Sequence, residues 1–184
     1  MGTNVKIETR VIMGTLQWVF MLIFLFIFTL AHELGHAAMS RIFFNDKAWV
    51  IVMGSGKPII QTKRLIINAW FFIGGYIIWA TETREKYKHV LRCAGGFIVN
   101  LIFAAISILF ILHYVRIDYI PVWWEIADAV FLVNVYLAVL TIIPITYPAL
   151  FGVTAGMPSD GLTIWRLLTY KGEKDASEDE EQDE

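Results

Sequence analysis

The sequence predicts an α-helical integral membrane protein with three core transmembrane helices, a membrane-associated β-hairpin or re-entrant segment, and a short C-terminal helix. Of its 184 residues, 57% are hydrophobic and only 17% are charged, a composition typical of membrane proteins. Stretches without Asp, Glu, Lys or Arg occupy residues 11–31, 93–112 and 129–159. A membrane span needs about 20 such residues, so we expect spans at about 12–40, 90–112 and 123–143.

The first uncharged stretch leads directly into His32-Glu33-Leu34-Gly35-His36, which matches the pattern HExxH. Because successive helical residues are rotated by about 100°, His32 and His36 project from one face, about 6 Å apart along the axis. Two imidazoles so placed can bind one tetrahedral Zn²⁺ ion, and Glu33 could act as general base on a zinc-bound water. A carboxylate at membrane depth costs about 2.5–3.5 kcal/mol on insertion scales, which indicates a functional site. A polar cluster without metal is the alternative.

Residues 48–80 have the pattern of strands. Apolar, β-branched residues at 48–53 and a return strand at 59–62 flank the turn-forming run Gly-Ser-Gly-Lys-Pro. The uncharged stretch 65–80 is short for a membrane span. The pattern favours a membrane-associated β-hairpin or sheet, with a re-entrant helix as the alternative. An exposed strand edge here would allow an extended substrate to add by main-chain pairing.

Basic residues predict the orientation in the membrane. Segment 40–92 contains nine Lys and Arg residues, whereas loop 113–122 contains only Arg116. The positive-inside rule then places segment 40–92 and the C-terminal tail in the cytoplasm, with the N-terminus and loop 113–122 outside. The first and third spans therefore run in the same direction. The HExxH residues and the segment after the third span are expected on the cytoplasmic side.

A third zinc ligand is expected in that segment, because catalytic zinc usually has three protein ligands and one open position. Prolines and glycines after the third span predict irregular backbone, which is tolerated at membrane depth where it is buried or lines a wet cavity. Asp160 lies there, within region 157–161, between Ser159 and Gly161. The other interpretation is that Ser159 and Asp160 cap a helix through Leu168. The two roles can coexist.

Three motifs together resemble the site-2-protease family of intramembrane zinc metalloproteases, over roughly residues 12–168. They are His-Glu-Leu-Gly-His at 32–36, Ala-Gly-Gly-Phe-Ile-Val-Asn at 94–100, and Pro-Ser-Asp-Gly at 158–161. The second resembles the small-residue turn and Asn at the start of the family's second core helix, and the third its Asp-Gly ligand motif. The resemblance implies that His32, His36 and Asp160 bind one Zn²⁺ and that Glu33 is the catalytic base.

The resemblance also implies the activity and its surroundings. The expected activity is zinc-dependent cleavage of membrane-anchored proteins or peptides in or near the bilayer. The expected location is a bacterial cytoplasmic membrane, and a regulatory membrane partner is expected there. Many family members have Asn-x-x-Pro before Asp-Gly, but here Thr141 stands in the Asn place and Asp160 lies about ten residues further on. Asn100 and Asn134 are therefore the candidate substrate-positioning residues. No nucleic-acid partner is expected.

Residues 1–172 are thus expected to form a metalloprotease core. Residues 173–184 carry eight acids and one Lys and are expected to form a disordered, solvated tail. Cys93 is the only cysteine, which excludes an intrachain disulfide and a cysteine-based metal site. The alternative functions are a non-catalytic membrane adaptor that binds transmembrane helices and a metal-transporting protein. Glu33 argues against the adaptor, and the lack of a visible inverted repeat argues against the transporter.

Overall fold

The computed structural model describes residues 2–79, 85–114 and 121–169, with side chains described for 18–72, 74–79, 85–113 and 126–169. Its elements, in chain order, are α1 (Gly2–Phe44), β1 (Trp49–Gln61), β2 (Leu65–Trp79), α2 (Lys86–Tyr114), α3 (Pro121–Ile142), a 3₁₀ helix (Ala149–Thr154) and α4 (Asp160–Thr169). The fold is mostly helical with one small sheet. The acidic tail and most of the loop that contains Arg116 lie outside the described residues.

Within the described residues, two helical segments are long and apolar enough to cross a membrane, Trp18–Phe44 in α1 and Lys86–His113 in α2. The described side chains of α3 add a shorter apolar segment, Ile126–Ile142. These three segments coincide with the three stretches from which spans were predicted. Two spanning candidates are thus present by length and composition, and α3 is a helix at the third expected position.

The three long helices meet around Phe28 of α1. Its side chain is buried with Val133 and Leu137 of α3, and its ring contacts Phe103 of α2 edge-on at a centroid distance of 5.1 Å. Apolar contacts of this kind remove surface from water or lipid and fix the relative positions of the helices. The Phe28 cluster lies one turn before the HExxH residues, so it holds their helix against both neighbours.

Close contact between α1 and α2 depends on two glycines. A Cβ atom added to Gly35 would overlap the carbonyl oxygen of Gly95, and a Cβ added to Gly95 would overlap that of Gly35. The two helix backbones therefore touch at this crossing. The expected small-residue turn at the start of the second core helix is not present: Gly95 and Gly96 lie inside α2, well after it begins at Lys86. Their small size serves helix packing instead of a turn.

Residues 65–79 form a strand and not a re-entrant helix. Residues 51–53 of β1 pair with 75–77 of β2 on one side and with 65–67 of β2 on the other. The first half of β1 is therefore central in the sheet, and the second half of β2 forms an outer edge. Gly74, at φ +70°, adopts a left-handed conformation that glycine tolerates without strain. It bends β2 just before this edge.

The backbone between α3 and α4 is irregular but well hydrogen-bonded. The amide of Tyr147 donates to the carbonyl of Met157 at 2.9 Å, and the amide of Gly156 donates back to Tyr147 at 2.8 Å. Thr146 and Pro158 form an isolated bridge. The segment thus folds back on itself and returns the chain to the start of α4. The short C-terminal helix expected from the sequence is α4.

Candidate metal centre

Three ligand-type atoms converge between α1 and α4. The Nε2 atoms of His32 and His36 are 3.2 Å apart, and the Oδ2 atom of Asp160 lies 3.2 Å from His32 Nε2 and 3.4 Å from His36 Nε2. Both histidines are buried, with 5% of their surface exposed. These three residues form a group that could hold a metal ion.

The size of this triangle fits zinc. Zinc binds imidazole nitrogen and carboxylate oxygen at about 2.0–2.2 Å in tetrahedral geometry, which places neighbouring ligand atoms about 3.3–3.5 Å apart. The three observed separations, 3.2, 3.2 and 3.4 Å, match one face of such a tetrahedron closely. Two nitrogens and one oxygen are also the donor set of many catalytic zinc sites. The fourth position is left for a water or a substrate atom.

The orientation of His36 is set by α2. Its Nδ1 atom lies 2.8 Å from the carbonyl oxygen of Arg92, and donation of the Nδ1 proton to this acceptor leaves a lone pair on Nε2. The guanidinium of Arg92 lies 3.5 Å from the carboxylate of Asp46, and both side chains are buried. This ion pair joins α2 to the segment between α1 and β1, and so holds the backbone that orients the imidazole.

Asp160 is positioned by its two neighbours. The hydroxyl of Ser159 donates to the carbonyl of Ile143 at 2.6 Å and accepts from the amide of Leu162 at 3.1 Å. Ser159 is therefore both the N-cap of α4 and a tie to the end of α3. A Cβ atom at Gly161 would overlap the carbonyl oxygen of Ile142, so only glycine allows α4 to begin this close to α3. The capping role expected for this region coexists with the placement of Asp160 at the metal group.

We expect Ser159→Ala to weaken metal binding because it loosens the helix start that carries Asp160. The lost cap should lower the free energy of unfolding by about 1 kcal/mol, and zinc affinity should fall by about tenfold, as for other residues that support a ligand. Zinc affinity can be measured by competition with a chromophoric chelator. Thr169→Ala, which removes a hydroxyl at the exposed end of the same helix, is the matched control; equal zinc affinities for the two variants would contradict this role.

The metal group opens into a cavity of about 510 Å³. Glu33, which is 6% exposed, lines it together with both histidines and Asp160. The outer edge of the sheet forms another part of the wall, through residues 74–77 and Trp79. A carboxylate, three potential metal ligands and a strand edge are therefore arranged around one space.

Two residues at this site were not predicted from the sequence. Gly96 packs so close to the metal group that a Cβ atom there would overlap His32 Nε2 and lie 2.6 Å from His36 Nε2. Tyr147 lines the same cavity as Asp160 and Glu33. One feature of the sequence pointed to Tyr147: it lies in the segment that was predicted to return toward the core.

The structure does not bring Asn100 and Asn134 to this cavity. Both are fully buried, at 0% exposure, and neither belongs to the cavity wall. The side-chain amide of Asn134 donates to the carbonyl of Val130 at 2.8 Å, within its own helix. Neither side chain reaches the cavity directly, and the substrate-positioning role stays a prediction for both residues.

Comparisons with protein-family models, curated proteins and solved structures found no match to this chain. A functional proposal therefore depends on the residues and geometry of the cavity itself.

Proposed function

We propose that this chain is a zinc-dependent intramembrane endopeptidase of the site-2-protease type, which cleaves membrane-anchored proteins or peptides in or near the bilayer. The observation that carries the proposal is the triangle of His32 Nε2, His36 Nε2 and Asp160 Oδ2, with sides of 3.2–3.4 Å, beside the buried carboxylate of Glu33. Two His and one carboxylate next to a general base are the parts of a hydrolytic zinc site.

The surfaces of the long helices support a membrane location for this site. Large apolar side chains are widely exposed on α1 and α2, including Trp18 at 73%, Leu109 at 65% and Ile106 at 56%. Such surface is unfavourable in water and is matched by lipid chains. In the orientation expected from the basic residues, the metal group opens toward the cytoplasmic side of a bacterial membrane.

The residues of the cavity have separate tasks in this proposal. Zinc, when bound, would polarise the scissile carbonyl and acidify a water molecule. Glu33 accepts the proton of the attacking water and passes it to the leaving amine, so that the C–N bond breaks without a free amide anion. Asp160 offsets part of the metal's charge and ionised Glu33 offsets the rest, which matters where isolated charges are costly.

Tyr147 is the proposed partner of the carbonyl oxygen as that atom gains negative charge. Its backbone is held by two hydrogen bonds, to Met157 and from Gly156, and its ring lies 5.2 Å from that of Phe151. A phenol fixed in this way can donate a hydrogen bond to a developing oxyanion without reorganising. The hydroxyl of Thr141 also lines the cavity, but it already donates its proton to the carbonyl of Leu137 at 2.9 Å. Tyr147 is therefore the proposed donor, and Thr141 is not.

We expect Tyr147→Phe to lower kcat by about 10²-fold, the effect of losing one oxyanion donor, and to leave KM and zinc content close to those of the parent. Steady-state kinetics and metal analysis of the purified variant test this. Tyr136→Phe is the matched control, since Tyr136 also lines the cavity but is 53% exposed. Equal kcat values for the Tyr147 and Tyr136 variants would exclude the role proposed for Tyr147.

An extended substrate is proposed to pair with the outer edge of β2. Residues 75–77 already pair with β1 on one side, and the same segment lines the cavity. Main-chain pairing there would hold a peptide in the extended form that a peptidase needs, because a carbonyl inside a helix is hydrogen-bonded and shielded. Substrates whose spans unwind easily should therefore be favoured.

Metal removal tests the proposed activity. The protein is reconstituted in liposomes with a single-span test protein that contains a central Gly-Pro pair, which weakens its helix. Chelation should abolish cleavage, and added Zn²⁺ should restore it. Cleavage that survives complete zinc removal would contradict a zinc peptidase. Binding of the test protein with no product under any metal condition would instead favour the adaptor.

A further inference from the structure

A basic surface lies where α1 ends and β1 begins. It consists of four exposed side chains, Arg41, Lys47, Lys63 and Arg64. They line two adjoining clefts of about 490 and 280 Å³, which share Lys47, Trp49 and Arg64. The guanidinium of Arg64 lies 4.7 Å from the ring centroid of Trp49. The basic surface is thus a shaped feature with an aromatic wall.

The chain around the basic surface has almost no acidic residue to balance it. Residues 34–79 contain five Lys or Arg residues and a single acid, Asp46. Asp46 is buried and faces Arg92 at 3.5 Å, so it does not neutralise the exposed cations. A surface of this kind attracts a flexible anionic partner.

The chain itself contains a segment of the opposite charge. Residues 173–184 carry eight acids and one Lys. They follow α4, whose Leu168 carbonyl accepts a hydrogen bond from Lys86 Nζ at 3.4 Å. The end of α4 therefore lies close to the start of α2, and the acidic segment follows from there along the chain.

The start of α2 is close to the basic surface. Arg92 lies about 9 Å along the helix from Lys86, and its guanidinium is 4.3 Å from the ring centroid of Trp79. Trp79 lines the smaller cleft with Lys47, Lys63 and Arg64. Residues 170–184 can extend about 50 Å, so the acidic segment is long enough to reach both clefts.

We propose that the acidic segment 173–184 docks on the basic surface formed by Arg41, Lys47, Lys63 and Arg64 of the same chain. Each exposed ion pair is weak and is screened by salt, but a tethered partner is present at millimolar effective concentration. Trp79 lines the metal cavity as well as the smaller cleft, so the docked segment would lie beside the cavity rim. The docking does not depend on the proposed peptidase activity.

Zero-length carbodiimide crosslinking of the full chain, reconstituted in nanodiscs of zwitterionic lipid, tests the docking. Peptide mapping should find amide links from the acids of 173–184 to Lys47 and Lys63, with yields that fall as ionic strength rises. Lys57 on β1, which is exposed and lines neither cleft, is the comparison lysine. An equal yield at Lys57, or no links to Lys47 and Lys63, would overturn the proposal.

The double variant Arg41→Gln/Arg64→Gln separates docking from chance encounters, because it removes two charges but keeps both lysines that can be linked. The yield at Lys47 and Lys63 should fall by roughly threefold to tenfold, and Lys57→Gln should leave it unchanged. Nanodiscs that contain an anionic phospholipid identify the competing occupant. If Lys47 and Lys63 lose their links there and become protected from acetylation, the basic surface binds lipid headgroups and the proposed docking is wrong.

Discussion

Glu33→Gln is expected to lower the rate of substrate cleavage by about 10⁴-fold, the upper end of the range for a general base, because one carboxylate serves both the attack of water and the departure of the amine. Glutamine has almost the same size but cannot accept a proton at neutral pH. The zinc content should stay that of the parent, since Glu33 is not among the three residues that converge on the metal position.

The two readouts of this variant are initial cleavage rates of the single-span test protein and zinc content by elemental analysis. Glu85→Gln, the same change at an exposed carboxylate outside the cavity, is the matched control and should cleave at the parental rate. Cleavage by Glu33→Gln at the parental rate would show that Glu33 is not the base. Loss of zinc in this variant would instead place Glu33 among the ligands.

Gly96→Ala is expected to weaken metal binding strongly although residue 96 has no side chain of its own. The added Cβ would overlap His32 Nε2 and lie 2.6 Å from His36 Nε2, the two atoms proposed to bind zinc. The imidazoles must shift to accommodate the methyl group, and a shift of either Nε2 atom disturbs the triangle that they form with Asp160. We therefore expect zinc affinity to fall by at least about 10²-fold, with cleavage lost in parallel.

Thermal unfolding distinguishes this effect from misfolding. The clash of Gly96→Ala is with the ends of two side chains, so the zinc-free variant should unfold at nearly the same temperature as the zinc-free parent. Ala105→Ser, which adds one atom at an exposed position of the same helix, is the matched control and should keep full zinc affinity. A Gly96→Ala protein that binds zinc as tightly as the parent would mean that the metal is held elsewhere.

The parts of the site that lie on one helix could be predicted from the sequence. His32 and His36 share a helix face because of the helical repeat, and the uncharged run before them predicted the helix itself. The strand pattern at 48–80 also predicted the sheet, because β-branched residues are local signals. The turn predicted at residues 54–58 was wrong: these residues lie inside β1, and the chain reverses at 62–64 instead. Asp160 could be assigned to the same side of the membrane as the two histidines only through the expected orientation of the spans.

The remaining features depend on contacts between distant residues. The approach of Asp160 to the histidines requires Ser159 to bond to Ile143 and Gly161 to pack on Ile142, and no local pattern encodes either contact. Gly96 was expected at a turn because of the resemblance of residues 94–100 to a small-residue turn motif, but it lies inside α2 and its small size allows α2 to approach the metal group. Tyr147 reaches the cavity only because of the backbone pairing within the segment after α3.

The most direct test of the central claim, that His32, His36 and Asp160 bind one metal ion, is zinc X-ray absorption spectroscopy of the purified protein with quantified metal content. We predict one zinc per chain, with two imidazole nitrogens and a carboxylate oxygen among its ligands at about 2.0–2.2 Å. Asp160→Ala should bind zinc much more weakly and should lose the carboxylate contribution. A parent protein that binds no zinc, or a spectrum unchanged by Asp160→Ala, would contradict the account.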